Sequence, residues 1–157
     1  MNINEDKKVE VLISALEERY KAIHEIRSRL QNISVWILGI LLATSGWLFQ
    51  SDVYFFRHEQ VILTTALLIV VAVLFKTYIK DLETGFKQQQ IVAASLEAEL
   101  GFYSDGVLTP KALFPQSWMK AGTKEGNGKY FTTTSILIIT GVTLLILTIF
   151  IKGDSLL

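Results

Sequence analysis

No cysteine occurs in the chain, which excludes disulfides, thiolate metal sites and cysteine nucleophiles together. Histidine is nearly absent as well: His24 and His58 stand apart, with no paired metal-ligand motif, so no metal, no cofactor and no enzyme activity are expected. The only prolines, Pro110 and Pro115, leave long stretches without a helix breaker. Charge is sparse, at 19% of 157 residues, and fifteen basic side chains balance fifteen acidic ones, so net charge says nothing about partners. What is abundant is apolar surface. Half the residues are hydrophobic and the mean hydropathy is +0.39, a composition that excludes an ordinary soluble globule.

The apolar residues gather in three charge-free windows, Leu30 to Ser51, Gln60 to Phe75 and Tyr130 to Ile151. Crossing a hydrocarbon core of ~30 Å takes about 20 helical residues. Residues 33–49 and 131–151 meet that need directly. The middle window becomes a span over 61–79 if Lys76 threads its stem along apolar surface to the headgroups. The expected fold is an all-α membrane protein with three transmembrane helices, the first two extended as an antiparallel cytoplasmic helical-hairpin stalk.

Lys and Arg resist translocation, so their distribution sets orientation. Six lie before the first span and seven between the second and third, against only Arg57 and Lys152 elsewhere. The N-terminus is therefore expected in the cytoplasm and the C-terminus outside, in a multi-pass protein of the inner (plasma) membrane. Trp36, Trp47, Tyr54, Phe55, Phe56, Tyr130 and Phe131 fall near the expected interfaces, where amphipathic rings settle.

Between Ile3 and Leu38 there is neither Gly nor Pro, and Asn4 precedes Glu5 and Asp6, an N-terminal signature. Residues 1–32 should form one amphipathic helix running into the first span. Val9, Leu12, Leu16, Ile23, Ile26, Leu30 and Ile33 repeat at heptad spacing, interrupted by Arg19. The expected partner is a stalk helix over 80–100, with Leu82, Phe86, Ala93, Leu96 and Leu100 on one face, a bend at Gly85 and a stop at Gly101. With a short external loop over 50–60, residues whose numbers sum to about 110 should lie at similar heights. Arg19, at a core-facing position, suits a pairing with Glu97 or Glu99 or a role in specifying register. The connection over 101–130 is broken by Gly and Pro; Thr109 and Pro110 suit a short helix start, Phe114 and Trp118 suit headgroup docking, and 122–129 reads as a flexible turn. The external tail covers 152–157.

Two kinds of membrane feature stand out. Thr133, Thr140, Thr143 and Thr148 on the third span, with Thr44 and Ser45 on the first, suit either a polar pore lining or close packing. Gly39 and Ala43 at small-xxx-small spacing, Gly46 beside Ser45, and Gly141 mark helix contacts. In the stalk, Arg19, Lys21, Arg27 and Arg29 suit either a phosphate-bearing ligand or lipid headgroups and internal ion pairs. Asp, Glu, His and Arg are absent from the membrane-embedded stretches, which speaks against ion-coupled transport and against a membrane-embedded active site.

A membrane hairpin carried on cytoplasmic stalks, here Val9 to Phe49 and Val61 to Leu100, resembles the SLATT-type two-span effectors of bacterial conflict systems. The third span departs from that two-span pattern. The resemblance implies a homo-oligomeric ion channel or pore-forming effector of antiphage defence, opened through its stalk by a nucleotide or oligonucleotide. The residues alone leave a second expectation open: a non-conducting membrane scaffold whose coiled-coil stalk holds a cytoplasmic protein partner. In both cases the lipid bilayer is a partner.

Overall fold

In a computed structural model, which describes residues 4–123 and 129–153, the chain is helical and no strand occurs among the described residues. Four α-helices carry it: α1 (Glu5–Gln50), α2 (Arg57–Val73), α3 (Lys80–Glu99) and α4 (Tyr130–Ile151). A π-helical segment, Leu74–Ile79, joins α2 to α3, and one 3-10 turn, Gln116–Lys120, precedes α4. Three helical stretches are long and apolar enough to cross a membrane: α1, the α2 to α3 run, and α4. The chain is thus an all-α, multi-pass membrane protein by the length and composition of its helices.

The 46 residues of α1 run unbroken because nothing from Asn4 to Gln50 is Pro and its two glycines fall inside the apolar stretch. The Asn4 carbonyl accepts from Lys8 N at 3.0 Å, and Glu5 and Asp6 sit at the positive end of the helix dipole. α2 begins at Arg57, inside the stretch read as loop, because Glu59 Oε2 turns back to accept from Phe56 N at 2.9 Å and satisfies an orphan donor of the first turn.

Gly85, where a bend was expected, lies within α3, and the departure from α form comes earlier, at Leu74–Ile79. There Thr77 Oγ1 donates to the Val73 carbonyl at 2.7 Å, competing for an acceptor of the backbone ladder, and Lys80 N reaches back five residues to Phe75 O. α3 stops as expected. Gly101 adopts φ +78°, Phe102 N donates to Glu97 O and Gly101 N to Ala98 O, both at 3.0 Å, the paired bonds of a Schellman cap.

Two compact units divide the chain, one built from residues 1–28 and 82–128, the other from 29–81 and 129–157. In the first, Leu16, Ala93, Ala94 and Tyr103 are buried, together with Glu97. A Cβ at Gly85 would meet Ile26 Cδ1 at 3.9 Å, ordinary van der Waals contact. The connection does not form a helix at Thr109–Pro110; its helical turn starts after Pro115, whose extended ψ of 139° launches it. Phe114 is held by edge contacts to Phe102 and Tyr103 and a tilted contact to Trp118 at 5.4 Å, so its ring serves this unit's own core. Of the turn expected over 122–129, residues 124–128 lie outside the described residues, as do 1–3 and 154–157.

In the second unit α4 buries Phe131, Thr134, Ile138, Gly141, Leu145 and Thr148, an unbroken 3-4 seam, against a chain in which Leu41, Ser45 and Leu48 are buried on α1. Little of the α2 to α3 run is covered along its most apolar window: only 6% of that window is buried, so most of its circumference is left to lipid or to a neighbour.

Candidate functional site

The membrane hydroxyls separate into two sets. Ser45 and Thr148 are buried, within the 3-4 seams of α1 and α4, and donate to the carbonyls of Leu41 and Leu144 at 2.7 and 2.9 Å. Thr133, Thr140 and Thr143 face outward on α4, with Thr44 half-buried on α1. Thr140 and Thr143 donate to the carbonyls of Ile136 and Ile139 at 2.9 and 2.8 Å. A hydroxyl whose proton is already used within its helix can face lipid or a lumen at small cost, and its lone pairs remain available as acceptors.

The small residues separate in the same way. Gly141 is the tight contact: a Cβ there would meet Leu38 Cδ1 at 3.0 Å and Leu41 Cδ1 at 3.1 Å. Gly39 and Gly46 have nothing within 4 Å of that position, and Ala43 between them is exposed. That edge of α1 makes no contact within the chain that requires small residues.

Ahead of the apolar stretch of α1, Lys21, Arg27 and Arg29 are exposed, and Arg27 and Arg29 are engaged within the chain. Arg19 does not pair with Glu97 or Glu99. It donates to Gln89 Oε1 at 2.9 Å and lies 3.2 Å from Glu18. Glu97 is met by two phenols instead. Tyr20 donates to Glu97 Oε1 at 2.6 Å, and Tyr103 donates to Oε2. Burial first, then the hydrogen bond to Glu97 and its negative charge, push both phenols above their usual range.

This arrangement of Glu97 with two tyrosines was not read from the sequence. Glu97 follows Ala93 by four positions, on a face assigned to Leu96, and the Gly101 cap returns the chain so that Tyr103, six residues on, reaches the same carboxylate. A Glu one turn beyond paired alanines, ahead of a glycine stop and an aromatic, was the available signal. Beside it lies a cavity of ≈ 730 Å³, bounded by Tyr20, Arg27, Gln90, Glu97, Ser117 and Trp118.

Gln60 was also missed. It is buried, and its Nε2 donates to the carbonyls of Ile149 at 2.9 Å and Phe150 at 3.3 Å, capping the end of α4. Lys152 completes that junction: its Nζ donates to Ser51 O at 2.6 Å and stands 5.6 Å from the Tyr54 ring centroid, and its carbonyl accepts from Phe55 N at 3.2 Å. No group of three or more His, Asp or Glu able to hold a metal occurs among the described residues. No protein-family model, curated protein or solved structure matches the chain.

Proposed function

We propose that this chain is the subunit of an oligomeric membrane channel, seated in the inner membrane with its N-terminus cytoplasmic and gated through a helical-hairpin stalk. The observation that carries the reading is the outward edge of α4, where Thr133, Thr140 and Thr143 stand exposed on a strongly apolar helix. Symmetric copies presenting that edge to a common axis would line it with hydroxyl oxygens. The open edge of Gly39, Ala43 and Gly46 on α1 supplies a second surface, one on which a neighbouring helix can approach closely. Support for an antiparallel stalk comes from paired positions: Ile26 meets Gly85 while Arg19 and Tyr20, lower on α1, meet Gln89 and Glu97, higher on α3. The cytoplasmic side follows from the thirteen basic residues before span one and between spans two and three. A nucleotide or oligonucleotide trigger, and a role in antiphage defence, extend the SLATT resemblance to this chain, with Lys21, Arg27 and Arg29 as the basic residues a phosphate would meet.

Planar-bilayer recording of the purified protein tests the channel, comparing wild type with Thr140→Leu and with Ile139→Leu, with and without nucleotide or short DNA. Discrete conductance steps changed by Thr140→Leu and unaffected by Ile139→Leu are expected. Silence from a folded oligomer in every condition overturns the reading. It would favour the scaffold, for which the specific observation is a groove of ≈ 380 Å³ whose rim residues Val9, Ile13, Val107 and Leu108 are all exposed.

A further inference from the structure

Glu97 is 7% exposed, and its two carboxylate oxygens are met by neutral phenols. Both groups that donate to it are hydroxyls rather than cations. A carboxylate withdrawn from water is costly, and two phenol donors offset only part of that cost. The sequence offers Arg19 as the counter-charge, but Arg19 is turned to Gln89 and Glu18.

The cavity next to this carboxylate has the dimensions of a small-molecule site: its ≈ 730 Å³ falls within the roughly 300–1,000 Å³ of such pockets. Ala93 and Ala94 border it, and their small side chains leave the room that Leu or Phe would fill. Two aromatic rings border it as well. Trp118 is 56% exposed and Tyr20 42% exposed, although the Tyr20 hydroxyl is held on Glu97. Ring faces carry the negative lobe of the quadrupole and attract cations, so rings and carboxylate favour the same kind of occupant. An anion would meet the Glu97 charge, and the one cation bordering the cavity, Arg27, is engaged within the chain.

We propose that this cavity binds a small organic monocation with a flat apolar body, such as an aryl amidinium, its charged head on Glu97 and its ring against Trp118 and Tyr20. Gln90 and Ser117 supply polar atoms to orient the head. The site stands on the first unit alone and does not depend on whether the spans conduct.

Isothermal titration of the full chain in detergent, with benzamidine and its neutral isostere benzamide as probes, tests the site. Saturable benzamidine binding is expected, with benzamide at least about tenfold weaker. Glu97→Gln should bring benzamidine down to the affinity of benzamide. Trp118→Ala, at an exposed position, should weaken both probes while leaving helicity unchanged. Absence of saturable benzamidine binding by folded wild type, equal binding of the two probes, or full affinity in Trp118→Ala overturns the proposal. Should circular dichroism show that Glu97→Gln has lost its helices, the probe pair and Trp118→Ala decide the matter.

Discussion

The side-chain amide of Gln60, in the first turn of α2, donates to the carbonyl of Ile149, in the last turn of α4, at 2.9 Å and across 89 positions of sequence. The last carbonyls of a helix lack partners of their own, and at a membrane boundary water does not reliably supply them. A buried glutamine therefore ties together the adjoining ends of two spans. A Cβ at Gly153 would fall 1.5 Å from that same amide nitrogen.

Gln60→Leu should destabilise the chain by about 1–3 kcal/mol, the cost of an acceptor left buried and unmet. Gly153→Ala should displace the amide and reproduce most of that loss. Because both substitutions break one interaction, the double variant should cost little more than either single one. Unfolding midpoints in detergent for the four proteins close the cycle, and simple additivity would separate Gly153 from Gln60.

The phenols on Glu97 give a pH signature. Tyr20 and Tyr103 are both raised above the ordinary tyrosine value, chiefly by burial and then by the bond to Glu97. A group raised in the folded state contributes its stability fully below the unfolded value, about pH 10, and loses it as pH climbs through the folded value. Stability from this source should be level from neutral pH to about 10 and fall above it. Tyrosinate absorbance should show two of the five tyrosines ionising late, and one in Tyr20→Phe. Five phenols titrating together would contradict it.

Gly106 and Gly122 both sit at positive φ, +77° and +79°, but in different surroundings. A Cβ at Gly106 meets nothing, whereas at Gly122 it would lie 2.4 Å from the Lys87 carbonyl oxygen. Gly106→Ala should cost about 1 kcal/mol for the left-handed conformation alone. Gly122→Ala should cost clearly more, since a backbone atom of α3 must move. Hydrogen exchange along α3 should accelerate in the second variant and stay near wild type in the first.

Gly141→Leu and Gly39→Leu should fail differently. The former drives a side chain into Leu38 and Leu41, where overpacking costs about 1–3 kcal/mol or more, and should lower the unfolding midpoint of the chain. The latter projects into open space and should leave that midpoint unchanged while reducing assembly size by native mass spectrometry, if neighbours pack on this edge. An unaltered assembly in Gly39→Leu would place subunit contacts elsewhere.

Features set by local chemistry were legible in the sequence. Three spans followed from charge-free runs, the length of α1 from its lack of Pro, and the end of α3 from Gly101. The π segment was not legible, because it arises where the Thr77 hydroxyl takes the Val73 carbonyl, a choice that hydropathy does not encode. The partners of Glu97 escaped for a different reason. Heptad reading assigns faces by spacing: it placed Ala93 and Leu96 inward, and the chain buries Ala93 but sets Ala94 and Glu97 beside it rather than Leu96. Gln60 and Tyr103 bond only after distant segments return, so no local pattern marks them. The small residues were legible as a class, but spacing could not say that Gly141 would be filled by leucines and Gly39 left open.

The π segment also changes how the second half of the α2 to α3 run must be read. Six residues wound with the wider turn introduce a slip of phase, so the apolar pattern upstream of Leu74 and the pattern downstream of Ile79 are two waves that do not join at one crest. Deleting a single residue there would bring them into step, turning every side chain of α3 by about 100° relative to α2 and moving Glu97 off its present face. The length of this segment therefore fixes which face of α3 carries Glu97 inward.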